Sequence, residues 1–235
     1  MQGVAARLGL APSAAHRLLN DLVRLGYAGQ DGPGGDYALT VQLAALGLGW
    51  MGRTGIPDVV QPVLDRLAAQ TGELARLSLA DGDRLVWVAA AQGATGGLRY
   101  DPAREQGAAA PLAYSATGRA WAASLPEDRA LALIAAQGLA PPEGAAEGAR
   151  LDMAGVLAVL AGVRAAGHAE AVDCFLAGMA AVAVALPGAR GCLSLAGPAV
   201  RFTAQRRAAA LPALHAAAAA IAEMAPASAL MRRAG

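Results

Sequence analysis

Lysine is absent from the 235-residue sequence: all nineteen basic residues are arginine, and eighteen acidic residues bring the formal net charge to +1. A near-neutral balance announces no broad electrostatic grip on nucleic acid, so any such contact must be local. Cysteine is scarce, and Cys174 and Cys192 fit neither a metal-ligand spacing nor a disulfide framework; they read as reduced thiols of a cytoplasmic protein. The three histidines, His16, His168 and His215, are scattered without a metal-binding interval. No metal and no cofactor are expected. No stretch of eighteen apolar residues runs free of charges and helix breakers, and the start carries no signal-peptide pattern, so no membrane association is expected. The alanine-rich piece 208–222 is punctuated by Pro212 and His215 and reads as an amphipathic helix. Against these absences stands a composition that is 56% hydrophobic and 16% charged. It supplies a substantial core, and the length suits a small domain followed by a medium one.

The small domain is written in "GLAPSAAHRLLNDLVRLGY", residues 9–27. Ala15, Leu18, Leu22 and Leu25 recur on one helical face and Ala14, Arg17, Asp21 and Arg24 on the opposite one, so one face is expected to pack and the other to meet solvent or a partner. Upstream, Val4 and Leu8 sit one turn apart, and Gly9 can adopt the left-handed conformation that closes a helix. Pro12 or Ser13 then opens the next helix. Two short helices joined by a glycine turn form a helix-turn-helix candidate. After Gly26, "YAGQDGPGGDYALT" alternates around a turn-rich centre and reads as a β-hairpin, the wing of such a motif. A recognition helix must enter a major groove about 12 Å wide, which favours small leading residues and a long reading side chain. Ser13, Ala14 and Arg17 fit that demand. Spacing alone leaves a second reading open, in which Arg17 is one solvated charge on an ordinary surface helix.

Residues 41–53, "VQLAALGLGWMGR", are apolar on nearly every side and need covering from two directions, as at a dimer interface. A second helix within 56–72 carries Val60, Val63, Leu64 and Leu67 and ends at Gly72. Together they predict a helical linker over 41–72. From Glu73 the texture changes to two alternating strands around an Asp-Gly-Asp turn. Further strands are predicted near 96–101, 179–186 and 190–196, and helices over 115–125, 127–138, 152–166 and 204–225. Residues 73–225 therefore read as a mixed α/β domain, with 226–235 as a flexible tail. Catalysis finds no support. Ser115 has no histidine and carboxylate companions and reads as a helix cap; Asp81 with Asp83, and Glu127 with Asp128, sit at a turn and a helix start, where carboxylates are ordinary.

With "GLAPSAAHRLLNDLVRLGY", the wing and "YALT", then "LDRLAAQTGELARLSLADGDRLVWV", "GAAAPLAYSATGRAWAASLPEDR", "GVRAAGHAEAVDCFLAGMAAVAVAL" and "GCLSLAGP", the sequence resembles the IclR family of bacterial transcriptional regulators over nearly its whole length. The resemblance implies an α+β chain: an N-terminal winged helix-turn-helix (1–40), a dimerising helical linker (41–72) and a GAF-like effector-binding domain (73–225). It implies a ligand-responsive repressor or activator, a homodimer or homotetramer on operator DNA, with DNA contacts at Ser13, Ala14, His16 and Arg17. Family members usually place another helix before the helix-turn-helix pair, whereas Met1 falls here where the second helix begins. The rival expectation is therefore an effector-binding or dimerising module that has lost operator binding. Pro12 replaces a common basic residue and Ala14 a threonine. In the effector domain the resemblance places pocket residues at Gly107, Ala108, Ala171, Ala181, Ser194 and Ala196. An acidic position is occupied by Ala171, a cysteine by Ala181 and a second serine by Ala196; Ser194 keeps its hydroxyl, and the amides near Gly107 and Ala108 are expected to remain donors. Losing three polar side chains favours an apolar or aromatic effector over a two- or three-carbon acid. A degenerate pocket without a ligand is the alternative.

Overall fold

The structure, a computed structural model, describes residues 2–32, 34–54 and 56–224. The predicted tail at 226–235 lies outside the described residues. The chain divides into two compact units, Met1–Thr54 and Gly55–Gly235.

In the first unit, α1 (Gln2–Leu8) is closed by Gly9 at φ 62°, and the amide of Leu10 reaches back to the carbonyl of Ala5. That is the left-handed stop expected there. The second helix, α2 (Pro12–Arg24), opens with proline at its first position and takes no side-chain cap from Ser13. Strands β1 (Ala28–Gln30) and β2 (Tyr37–Leu39) pair antiparallel as the predicted hairpin. Its base is fastened to the end of α2 by Thr40, whose Oγ1 donates to the Gly26 carbonyl at 2.5 Å. The packing of α2 differs from the spacing argument: Ala15 and Leu19 are the buried residues, whereas Leu18, Leu22 and Leu25 are exposed. Of the predicted face only Ala15 is buried, joined by Leu19, and the elements packed against α2 bury small residues, Ala5 in α1 and Ala28 in β1. The unit ends in α3 (Val41–Thr54), which leaves Leu43, Leu46, Leu48 and Trp50 exposed.

The second unit begins with a wide helical turn at Ile56–Val60 that runs into α4 (Gln61–Thr71). Gly72 ends α4 at φ 70°, as predicted. Residues expected as a single linker, 41–72, thus fall partly in each unit, and α4 packs on the sheet of the second. That sheet holds β3 (Leu74–Asp81), β4 (Arg84–Gln92), β5 (Ala169–Val172), β6 (Met179–Ala185) and β7 (Gly191–Pro198) in the order β4-β3-β7-β6-β5, every pair antiparallel. One face carries Ala75, Leu77, Val182, Val184, Leu193 and Leu195 towards α4 and α8 (Ala204–Met224). The other meets α5 (Ala116–Ser124), α6 (Glu127–Gln137) and α7 (Met153–Ala166). Antiparallel strands with helices on both faces give the expected α+β class. Among the described residues no helix is long and apolar enough to cross a membrane.

Two strand expectations need correction. Residues 96–101 form no strand: Gly96 and Gly97, the latter at φ 73°, break the extended run, and the segment is held by side chains instead. Gln92 donates to the Tyr100 carbonyl and Arg201 to that of Leu98. Conversely, the edge strand β5 is only four residues long. It is too short for its alternation to stand out.

Candidate functional site

Two places gather candidate functional side chains, one in each unit. In the first, Ser13, His16, Arg17 and Asn20 form a stripe at helical spacing on the exposed side of α2, opposite the buried Ala15 and Leu19. His16 is tied to Asn20, with Nδ1 and Nδ2 3.2 Å apart. Arg17 has no hydrogen-bond or ion-pair partner among the described residues, while its neighbour Arg24 pairs with Asp21 at 3.2 Å. Ala14 is half-buried at the edge of this stripe. Small residues therefore lead the helix, and Arg17 is its uncommitted long side chain.

The second place is a cavity beneath the first turn of α5. Its floor follows from strand register: Leu74 opposes Ala196, Ala196 opposes Ala181, and Ala181 opposes Ala171, so three alanines lie in one row across β7, β6 and β5. The next row sets Arg76 opposite Ser194. Side chains this small cannot reach the helix above, and space remains between them. Ser115, Ala116 and Thr117 form the roof; Trp87, Tyr100, Phe175 and Met179 close the sides. Ser115 caps α5, its hydroxyl accepting from the Gly118 amide at 2.9 Å while donating to the Pro111 carbonyl. This is the capping role the sequence implies.

A β-bulge puts Trp87 on the cavity side. Leu77 pairs with Ala89, but the next residue, Ser78, pairs with Trp87, so Val88 is skipped and the alternation of β4 reverses. Trp87 then lies beneath Arg76, whose guanidinium carbon is 4.2 Å from the ring centroid. Phe175 meets Trp87 edge-on with centroids 5.9 Å apart. Arg76 itself is 4% exposed. Its Nη1 donates to Glu105 Oε2 at 2.7 Å, but Nε and Nη2 have no hydrogen-bond partner among the described residues. Burial lowers the pKa of Arg76 and the hydrogen bond and charge of Glu105 oppose the shift; an arginine so placed remains a cation.

The structure brings four of the six sequence-predicted pocket residues, Ala171, Ala181, Ser194 and Ala196, to this cavity. Gly107 and Ala108 are not in its lining. Their amides are also not free: that of Gly107 donates to the Trp87 carbonyl at 2.9 Å and that of Ala108 to the Glu105 carbonyl at 2.8 Å. The expectation of two available backbone donors is corrected accordingly, because one amide fastens the segment to β4 and the other closes a turn on Glu105. Sequence reasoning missed Arg76, Trp87 and Phe175. The available signal was Arg76, a charge inside the otherwise apolar run "LARL", since an arginine is rarely buried without a reason.

Comparison with known proteins matches these features to one family. The IclR helix-turn-helix domain profile matches residues 1–32 and the profile of the C-terminal domain of bacterial IclR regulators matches residues 49–223. The Pca regulon regulatory protein of Pseudomonas putida is 31% identical over 86 residues, which are 37% of this chain and 29% of that protein, so the match spans under a third of the relative's length. A crystal structure assigned to the IclR regulators, from Silicibacter sp. TM1040, superposes with TM-score 0.79 at 25% identity over 95% of this chain and 87% of its own. An IclR homologue from Microbacterium hydrocarbonoxydans, solved in complex with 4-hydroxybenzoate, shares the fold with TM-score 0.66 at 19% identity over 95% of this chain and 90% of its own. The matched helix-turn-helix disfavours the reading as a module without DNA-binding function. Since one family profile alone spans most of the sequence, the chain belongs to the IclR family of bacterial transcriptional regulators.

Proposed function

We propose that the protein is a cytoplasmic regulator that reads operator DNA through α2 and adjusts that reading to a small molecule bound beneath α5, acting by binding and not by catalysis. Residues 1–40 serve as the DNA-binding domain, 41–72 as the dimerising linker and 73–225 as the effector domain. The observation that carries the reading is the outward stripe Ser13, His16 and Arg17 on α2, small at the front and ending in an uncommitted arginine. Ala14 at its edge leaves room for the groove wall. The exposed leucines of α3, with Trp50, support a homodimer or homotetramer, which matches paired half-sites. Effector binding then shifts the relative placement of two winged domains and changes their fit to those half-sites. For the effector, the alanine row and the aromatic walls support an apolar or aromatic molecule, in keeping with the 4-hydroxybenzoate held by one structural neighbour.

The test begins with duplexes selected by the protein from a random-sequence library. Arg17→Ala is expected to weaken binding to the selected site by about 1–3 kcal/mol, the range of a lost base contact, at fixed salt. Undiminished affinity in a mobility-shift titration removes Arg17 from the interface.

A further inference from the structure

Of the three nitrogens of the buried Arg76 guanidinium, one is committed to a hydrogen bond and two are idle. Nη1 is held by Glu105, whereas Nε and Nη2 are buried without a hydrogen-bond partner among the described residues. Nε and Nη2 lie on one edge of the planar group, with their N–H bonds nearly parallel. That edge matches the two oxygens of a carboxylate; a neutral amide or alcohol offers it a single acceptor. Leaving charged donors unpaired in a buried site is costly, and the Trp87 face and Glu105 offset only part of that cost. Arg76 belongs to the cavity wall, with Trp87 stacked against it and Phe175 beyond.

We propose that Arg76 is the anchor for an anionic head group, and that the effector is a flat monoanion whose carboxylate takes the Nε–Nη2 edge while its apolar body lies over Ala181 and Ala196. This rests on reading the cavity as the effector site, and it refines that reading: the apolar lining selects the body of the ligand, and Arg76 selects its charge. Glu105 sets the strength of the anchor, because it already neutralises part of the guanidinium and repels a second carboxylate nearby.

Calorimetric titration of the full-length chain with benzoate, 4-hydroxybenzoate and phenylacetate, each against its neutral amide, tests the proposal. Each acid that binds is expected to bind at least tenfold more tightly than its amide. Arg76→Gln removes that preference, acid and amide then binding within about twofold of each other, whereas Arg76→Lys, which keeps the charge without the fork, retains only part of it. Glu105→Gln tightens the acids severalfold and not the amides, a gain that an unfolded or loosened variant cannot produce. Equal affinity of acid and amide for the unaltered protein overturns the anchor while leaving the cavity as an effector site. Silence of all six compounds overturns the effector reading and the anchor together.

Discussion

Gly118→Ala sets two well-understood effects against each other. Gly118 lies in the first turn of α5, inside a helix, where alanine is ordinarily better than glycine by about 1 kcal/mol. Its surroundings oppose the exchange. A Cβ built there falls 2.5 Å from the Cα of Leu112 and closer still to the Pro111 carbonyl oxygen, both backbone atoms. The segment cannot step aside cheaply. Ala110, Leu112 and Tyr114 are buried, the Leu112 amide is held by Gln137 at 2.7 Å, and the Pro111 carbonyl accepts from both the amide and the hydroxyl of Ser115. Relief must come from lifting α5, which loosens the Ser115 cap and the contact with β6. Overpacking of this kind costs about 1–3 kcal/mol and occasionally more, and a weakened cap about 1 kcal/mol. The clash is therefore expected to win, with a net loss of about 1–3 kcal/mol. Urea unfolding followed by the fluorescence of Trp87 and Trp121, both buried in this unit, measures it. A midpoint that stays put or rises would refute the claim that α5 is seated directly on the 111–112 backbone.

Other substitutions probe the cavity and its surroundings. Ala181→Leu places a bulky group on the cavity floor and is expected to abolish binding of a one-ring acid while leaving the melting temperature unchanged or raised, since it fills space already present; calorimetry and a thermal scan report both. Glu73→Gln breaks the paired contact of this buried carboxylate with Nε and Nη2 of Arg201, at 2.8 and 2.7 Å. Because Arg201 is partly solvated and glutamine keeps one acceptor, the expected loss is about 1–3 kcal/mol by denaturant titration, below the range for a wholly buried pair. Burial pushes the Cys192 thiol far up, so it stays uncharged at pH 8. Iodoacetamide is expected to leave it unmodified until denaturant is added, which peptide mass mapping would check.

Most elements were legible because their signals are local. Gly9, Gly72 and Gly167 stop helices where the periodicity runs out, and "ADGD" turns β3 into β4. What failed depends on neighbours distant in sequence. The buried stripe of α2 takes Leu19 and not Leu18, Leu22 or Leu25, a choice its own periodicity does not make. The cavity floor was partly legible: the three alanines emerged from family resemblance, but that they form one row is a property of strand register. Trp87 could not be placed at all, because a bulge at Val88 reverses the parity by which a strand is read. The idle amides assumed at Gly107 and Ala108 failed for a related reason, since the β4 segment that occupies one of them is nearly twenty residues away.

The cavity roof is also bound to the opposite face of the sheet, which bears on how an occupied cavity differs from an empty one. Arg119, one turn beyond the cap, donates from Nε to the Ala113 carbonyl and from Nη1 to the Glu170 carbonyl on β5, both at 2.8 Å. The side chain of the same Glu170 receives Arg207 of α8, which also donates to the Phe202 carbonyl. Helix α5 above the sheet and α8 below it are thus joined through one residue of a four-residue edge strand. The row of alanines contributes little packing beneath the first turn of α5, so there the helix is held by its seat on the 111–112 backbone, these charged hydrogen bonds and the Ser115 cap. Such bonds have strict geometry where apolar contacts yield gradually. A ligand that raises α5 must strain Arg119 against β5, and one that fits beneath it leaves the bridge to α8 intact. On the proposed effector reading, the fit of the ligand body, as well as its charge, would then bear on how the two sides of this domain are held together.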